Sequence, residues 1–325
     1  MTRVAVVVPC FRVRRHILDV LARIGPEIEH VYVVDDACPE GSGRMVADEC
    51  KDPRVSVLFH ETNQGVGAAV CTGYRAALAD DMDIVVKLDG DGQMDPGLIR
   101  RLIAPIVGGH ADYTKGNRFF SMDALASMPK VRLFGNAALS FVNKTVNGYW
   151  DVMDPTNGFT AIHRFALGLL PLERVDPRYF FESDMLFRLS VIRAVVVDVP
   201  MPARYGDEVS NLSVRRVLLE FPVKYMARFF KRIFHTYFLA DFNAGSVALI
   251  SGLPLLIFGL GFGLDKWLEN LPLDRATPTG TVMLSVLPVL LGVQLLLTAL
   301  NYDLSHIPRM PLRTLFEVRP LDQES

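Results

Sequence analysis

Two aspartates separated by one glycine, Asp89-Gly90-Asp91, follow the apolar run Ile84-Val85-Val86 and precede Gly92-Gln93-Met94-Asp95-Pro96. Carboxylates at that spacing behind a strand can turn their oxygens toward one hard divalent cation, Mg2+ or Mn2+, while a phosphorylated substrate supplies the other ligands. The same residues also suit a solvent-facing acidic turn. A calcium loop fits less well, because the twelve-residue ligand pattern with a terminal glutamate is missing. The seven histidines make no zinc spacing.

The elements that must position such a loop are legible as short β-branched runs, Val4 to Val8, Val31 to Val34, Val55 to Phe59 and Ile84 to Leu88. Helical patterning over Ile17 to Ile24 and Gly65 to Ala79 separates them. The alternation predicts an α/β fold with a mostly parallel sheet, whose strand ends expose ligand-binding loops. Leu98 to Val107 reads as a helix, Ala111 to Thr114 as a strand and Gly116 to Lys130 as a polar connection. Arg132 to Val146 reads as a helix with Arg132 and Asn136 on one face, and Ala194 to Val199 as a late strand. The globular part is expected to end near Asn211.

Composition then changes. Phe242 to Leu264 and Ala276 to Tyr302 contain no Asp, Glu, Lys or Arg, and each is long enough for a membrane-spanning helix. Ahead of them, Ser213 can cap a helix from Val214, which Pro222 is expected to break or bend before a second helix. There Lys224, Arg228, Lys231 and Arg232 interleave with Tyr225, Phe229, Phe230 and Phe234, a pattern suited to lipid headgroups. Basic residues flank the two spans more densely than their connection, which predicts a cytoplasmic N-terminal domain and tail. Gly259 and Gly263 give a small-residue spacing compatible with a homo-oligomer. The expected organisation is 1–211 catalytic, 212–241 amphipathic, 242–303 a transmembrane hairpin and 304–325 a cytoplasmic tail.

The formal charge of −2, from 34 basic and 36 acidic residues, argues against a surface that coats nucleic acid. Cys10, Cys38, Cys50 and Cys71 form no paired framework and are expected to be free thiols in a reducing compartment. The apolar run that starts at Val4 is too short for a signal sequence.

Val7-Val8-Pro9, Val33-Val34-Asp35-Asp36, Asn63-Gln64-Gly65-Val66-Gly67 and Asp89-Gly90-Asp91-Gly92-Gln93, in this order, resemble family 2 glycosyltransferases of the GT-A fold. Within that family the chain is most similar to the polyprenyl-phosphate sugar synthases, of dolichyl-phosphate mannose synthase type. The resemblance covers about the first 210 residues, and the hairpin extends it.

It implies that Pro9, Asp36, Asn63, Gly67, Asp89 and Asp91 serve a UDP- or GDP-linked sugar donor, with Asp89, Asp91 and Gln93 at the metal. Gly116-Asn117-Arg118-Phe119 would bring Arg118 to phosphate, with Arg132 a second cation, and the reactive carboxylate would be Asp154, Glu182 or Asp184. The implied chemistry is inverting transfer of one sugar to polyprenyl phosphate at the cytoplasmic face of a membrane. The segment Cys10-Phe11-Arg12 departs from the family pattern, and no Gln-x-x-Arg-Trp segment follows Asp184. The competing readings are transfer to another membrane lipid headgroup and a non-catalytic, nucleotide-binding membrane scaffold.

Overall fold

The computed structural model describes residues 2–120, 130–202, 214–273 and 276–316. These fall into two compact units, one from the N-terminus to Phe229 together with the segment from Pro308, the other Phe230–Ile307.

The first unit is built on seven strands: β1 Val4–Cys10, β2 His30–Asp35, β3 Val55–Phe59, β4 Ile84–Lys87, β5 Tyr113–Asn117, β6 Thr160–His163 and β7 Val196–Pro200. Their spatial order is β3-β2-β1-β4-β6-β5-β7. The pairs β1–β2, β2–β3, β1–β4 and β5–β7 are parallel, whereas β6 runs antiparallel to both β4 and β5. The sheet is therefore mixed, though mostly parallel.

Strand direction decides where the loops go. In parallel β1, β2, β3 and β4 the carboxyl ends share one edge, and the registers Lys87–Thr160 and Lys115–Thr160 bring the start of β6 and the end of β5 to that same edge. The chain steps outward from β1 to β3 and returns to place β4 on the other side of β1, so the topological switch point lies between β1 and β4. The loops after β1 to β5 and the one before β6 open at this edge, and the segment leading into Glu182 reaches it too, since the Ala68 N–H at the start of α3 donates to the Pro177 carbonyl and Lys87 at the end of β4 donates to Glu182.

Helices α1 Ile17–Ala22, α2 Ser42–Glu49, α3 Val66–Ala79 and α4 Ile99–Val107 cover the sheet. Val6, Val8, Val33, Ile84, Val86, Ile17, Leu102 and Ile106 belong to one buried cluster. Each such side chain contributes about 1.5–3 kcal/mol when fully buried, which is why these β-branched runs form the centre of the sheet. Then come α5 Lys130–Asn147, α6 Arg164–Gly168 and α7 Phe181–Val191. All four cysteines are free thiols.

Helix α8, Val214–Phe234, is continuous through Pro222, so of the break or bend expected there the break does not occur; Ser213 lies outside the described residues. The ring removes one backbone donor, but Phe221, Tyr225 and Phe229 on either side of it pack against Phe180 and Val146. The expected outward display of cations also needs correcting for Lys224 and Arg228, whereas Lys231 is exposed. Lys224 Nζ lies 2.6 Å from Asp176 and Arg228 Nε 2.7 Å from Asp184, so both cations face buried carboxylates of the domain. The outer face instead carries Val223, Met226, Phe230 and Phe234, between 57% and 70% exposed.

The segment beyond Pro308 carries α11, Leu312–Phe316, and is fixed to the first unit through the Leu312 N–H, which donates to the buried Asp112 carboxylate. In the second unit α9, Ala244–Asn270, and α10, Thr279–Ser305, pack side by side. Each has a mean hydropathy of 2.2 over its most apolar window, of which only 17% and 11% is buried. Twenty-seven residues extend about 40 Å, enough to cross a bilayer core of roughly 30 Å. Asn243 and Ser246 form a reciprocal cap at the start of α9. Gly259 and Gly263 pack against Val289 and Ser285 of this chain, so their spacing serves the hairpin's own crossing. At the hairpin base, Arg232 and the Tyr237 hydroxyl both donate to Asp303.

Candidate active site

Asp89 and Asp91 line one cleft at the carboxyl edge of β4, together with Gln93, Arg118, Asn157 and Gly158. The loop is shaped by its glycines. Gly92 has φ of +80°, a left-handed conformation that glycine adopts without strain, and the Gln93 N–H donates to Asp91 Oδ1 at 2.9 Å. Asp95 ends the loop, capping the short turn from Pro96 and accepting from Arg23 at 2.7 Å.

The donor set is all oxygen. Among the described residues no three His, Cys, Asp or Glu side chains cluster as a complete metal cage. Asp89 and Asp91, with the Gln93 amide beside them, suit a hard divalent ion that completes its shell with a diphosphate and water. That is how Mg2+ is commonly held.

Arg118, which lines the same cleft, follows β5. Its Nε lies 2.7 Å and its Nη2 3.0 Å from the two oxygens of Asp154, whose side chain is fully enclosed. Glu182, in the first turn of α7, accepts from Lys87 at 3.2 Å. Asp184, also fully enclosed, accepts from the Asp176 N–H at 2.9 Å, Arg188 at 2.9 Å and Arg228 at 2.7 Å. All three candidate reactive carboxylates are thus already paired with a cation.

The structure separates the other sequence candidates. Asp36 is 2% exposed, and its carboxylate accepts from the Gln64 and Gly65 N–H groups at 2.8 and 2.7 Å and contacts His60 at 2.8 Å. It holds the turn before α3, where Gly65 needs its φ of +104°. Asn63 is exposed and donates to the Asp36 carbonyl. Gly67 permits close packing of α3 on the Asp176 carbonyl and Phe181. Pro9 lies within β1. A second depression at the ends of β2 and β3 is lined by Asp35, Cys38, Arg44, Phe59, His60 and Glu61. Arg132 is on α5, but its side chain lies outside the described residues.

Sequence reasoning missed two buried lysines. Lys87, the last residue of β4, donates to Asp89 Oδ1 at 2.8 Å and to Glu182. Burial works against its charge, but the two carboxylates outweigh that penalty and hold its pKa above the usual lysine value. Lys115 donates to the Asn157 carbonyl. Burial pulls it down to about 8 against the opposing pull of Glu182 and Asp154. For Lys87 the available signal was a charge closing the apolar run Ile84-Val85-Val86, which has to find buried partners; the polar strand Tyr113–Asn117 around Lys115 carried no such contrast.

Comparison with known proteins bears on the family and the fold. The UDP-N-acetylglucosamine–dolichyl-phosphate N-acetylglucosaminyltransferase of Methanococcus voltae is 26% identical over 67% of this chain and 92% of that protein. The polyprenol monophosphomannose synthase of Mycolicibacterium smegmatis is 30% identical over 61% of this chain and 76% of that protein. Glucosyl-3-phosphoglycerate synthase of Mycobacterium tuberculosis, solved with Mn2+, UDP and phosphoglyceric acid, superposes with a TM-score of 0.53 at 19% identity, covering 71% of this chain and 78% of that one. The same enzyme has also been solved with Mg2+ and UDP. The GT-A fold and inverting transfer from nucleotide sugars go with this group. Residues 5–169, from β1 through β6 and the whole acidic loop, match the model of glycosyl transferase family 2, and the chain belongs to that family.

Proposed function

We propose that this protein transfers one sugar from a UDP- or GDP-linked donor to polyprenyl phosphate at the cytoplasmic face of a membrane, with inversion at the anomeric carbon. The observation that carries the acceptor assignment is the pairing of Asp154, Glu182 and Asp184 with Arg118, Lys87 and the Arg188–Arg228 pair. An alcohol acceptor needs a base to take its proton. A phosphate oxygen is already ionised at neutral pH and needs only to be positioned and relieved of repulsion. The two apolar helices supply a reason for a lipid carrier to be at hand.

In this reading the phosphate oxygen of the carrier attacks the anomeric carbon, the bond to the donor diphosphate breaks, and the nucleoside diphosphate leaves. A divalent ion held by Asp89 and Asp91, with Gln93 in support, would neutralise charge growing on that leaving group. Arg118, held against Asp154, directs its guanidinium to the same cleft and serves the same charge. The depression at the ends of β2 and β3 takes the nucleoside. Asp36, Asn63 and Gly67 act by shaping the turn and the start of α3 beside it, and Pro9 from within the last residues of β1, next to the switch point.

The relatives that act on polyprenol or dolichyl carriers support this over transfer to another lipid headgroup. The test is incubation of the purified protein in detergent with Mg2+ or Mn2+, polyprenyl phosphate and mixed nucleotide sugars, followed by mass analysis of the organic phase. A polyprenyl-phosphate monosaccharide that disappears with chelator is expected. Donor turnover to a different lipid, with the carrier untouched, would reject the acceptor.

A further inference from the structure

Lys87 enters the reading above only as the cation that pairs Glu182, yet its side chain is 1% exposed and it also bonds the Asp89 carboxylate. A buried ammonium is costly unless its donors are matched. Its three N–H groups meet three acceptors from three separate parts of the chain: Asp89 Oδ1 at 2.8 Å, the Gly158 carbonyl at 3.3 Å and Glu182 Oε1 at 3.2 Å. Gly158 leaves the space for it, since a methyl group there would fall on the ammonium and within 2.7 Å of Asp89 Oδ2.

We infer that Lys87 is a positioning residue for sugar transfer, holding the Asp89 carboxylate at the cleft while Glu182 serves as the counter-charge that keeps the ammonium in place. The inference rests on the nucleotide-sugar reading. Lys87 occupies Oδ1 of Asp89, and Oδ2 lies beside Gly158, a residue that lines the cleft. Glu182 has 16% of its side chain exposed and connects to the cleft through Lys87. Glu182 therefore acts on the acidic loop through the lysine, and its place in the reaction is that of an anchor. Groups that orient metal-binding side chains typically change metal affinity or activity by 10- to 100-fold when removed. A purely structural ion cluster would instead alter the amount of folded protein, with each folded molecule still working normally.

The experiment uses the full-length protein in detergent as wild type, Lys87→Met, Glu182→Gln and the double variant. Mn2+ binding in the presence of UDP or GDP is read by electron paramagnetic resonance, alongside turnover and thermal unfolding. Lys87→Met is expected to weaken Mn2+ binding about tenfold and lower turnover about 100-fold in folded protein. Adding Glu182→Gln to it should cost no more than about twofold further, because the glutamate acts through the lysine. Folded Lys87→Met with wild-type Mn2+ binding, or losses that multiply in full in the double variant, would overturn the inference.

Should Lys87→Met not fold, Glu182→Gln alone carries the test. It removes the lysine's counter-charge and leaves Asp89 and Gly158 unaltered, so weakened Mn2+ binding supports the role and unchanged binding refutes it. If the wild type transfers no sugar, the proposed function fails, while the Mn2+ binding measurements still decide the role of Lys87.

Discussion

Arg118 and Asp154 are joined by two charge-assisted hydrogen bonds, 2.7 Å from Nε and 3.0 Å from Nη2, with the carboxylate fully enclosed and the guanidinium 28% exposed at the cleft. The buried partner fixes the direction of the accessible one. Arg118 is thereby presented to the cleft as a planar, permanently charged donor, well suited to a diphosphate.

Asp154→Ala removes that hold and leaves the guanidinium unsupported. Breaking a buried pair from one side costs roughly 3–5 kcal/mol, and transfer should fall at least about 100-fold as the arginine loses its orientation. Unfolding curves and kcat/KM with the donor check both. Asp154→Asn, which retains one acceptor, should recover part of the stability and little of the activity.

Asp184→Asn should behave differently, because its partners tie α7 to α8 and the Asp176 segment. The expected outcome is a loss of roughly 2–4 kcal/mol in stability, with turnover per folded molecule within about threefold of wild type. Lost turnover with unchanged stability would restore Asp184 as a reacting group.

Asp198 gives a pH signature. Burial pushes its carboxyl up from an ordinary value of 3.8 to about 6, and among the described residues its Oδ1 has no hydrogen-bond partner. Between pH 4 and 6 the folded state therefore keeps a proton that the unfolded chain has released, so this group's contribution to stability falls as pH rises through that window. The rise of about two units corresponds to roughly 3 kcal/mol. Asp198→Asn keeps a carbonyl acceptor for Asn117 and the Met153 N–H. Its stability relative to wild type should climb from pH 4 to 7 and then level off; a difference that stays flat would contradict the assignment.

How far the sequence revealed this arrangement depended on the range of the interactions. Val4 to Val8 and Ile84 to Val86 were legible as strands because burial on both faces selects continuous β-branched runs. The acidic loop was legible because its ligands are neighbours in the chain. Arg118 was placed at the cleft only through resemblance, and its buried partner lies 36 residues away. The antiparallel course of β6 has no local signature, since Thr160 to His163 reads like any buried strand. Lys87 sits two residues from Asp89, yet its second carboxylate lies 95 positions on. The cations of α8 looked lipid-facing because Asp176 and Asp184, which draw them inward, are more than 40 residues distant.

The hairpin makes a prediction about handling. With Val247, Ile257, Leu260, Leu290 and Leu297 each more than half exposed along α9 and α10, the protein should sediment with membranes, resist alkaline carbonate and be released by detergent. Release by carbonate or salt alone would contradict membrane-spanning helices and leave a peripheral attachment.

Whether the acceptor is ionised is tested by comparing polyprenyl phosphate with the same polyprenol lacking its phosphate, at equal concentration, with donor and Mn2+. A glycosylated lipid is expected from the phosphate alone, with turnover on the free alcohol lower by at least about a thousandfold, since Asp154, Glu182 and Asp184 are already paired with cations. Comparable transfer to the two lipids would contradict an ionised acceptor.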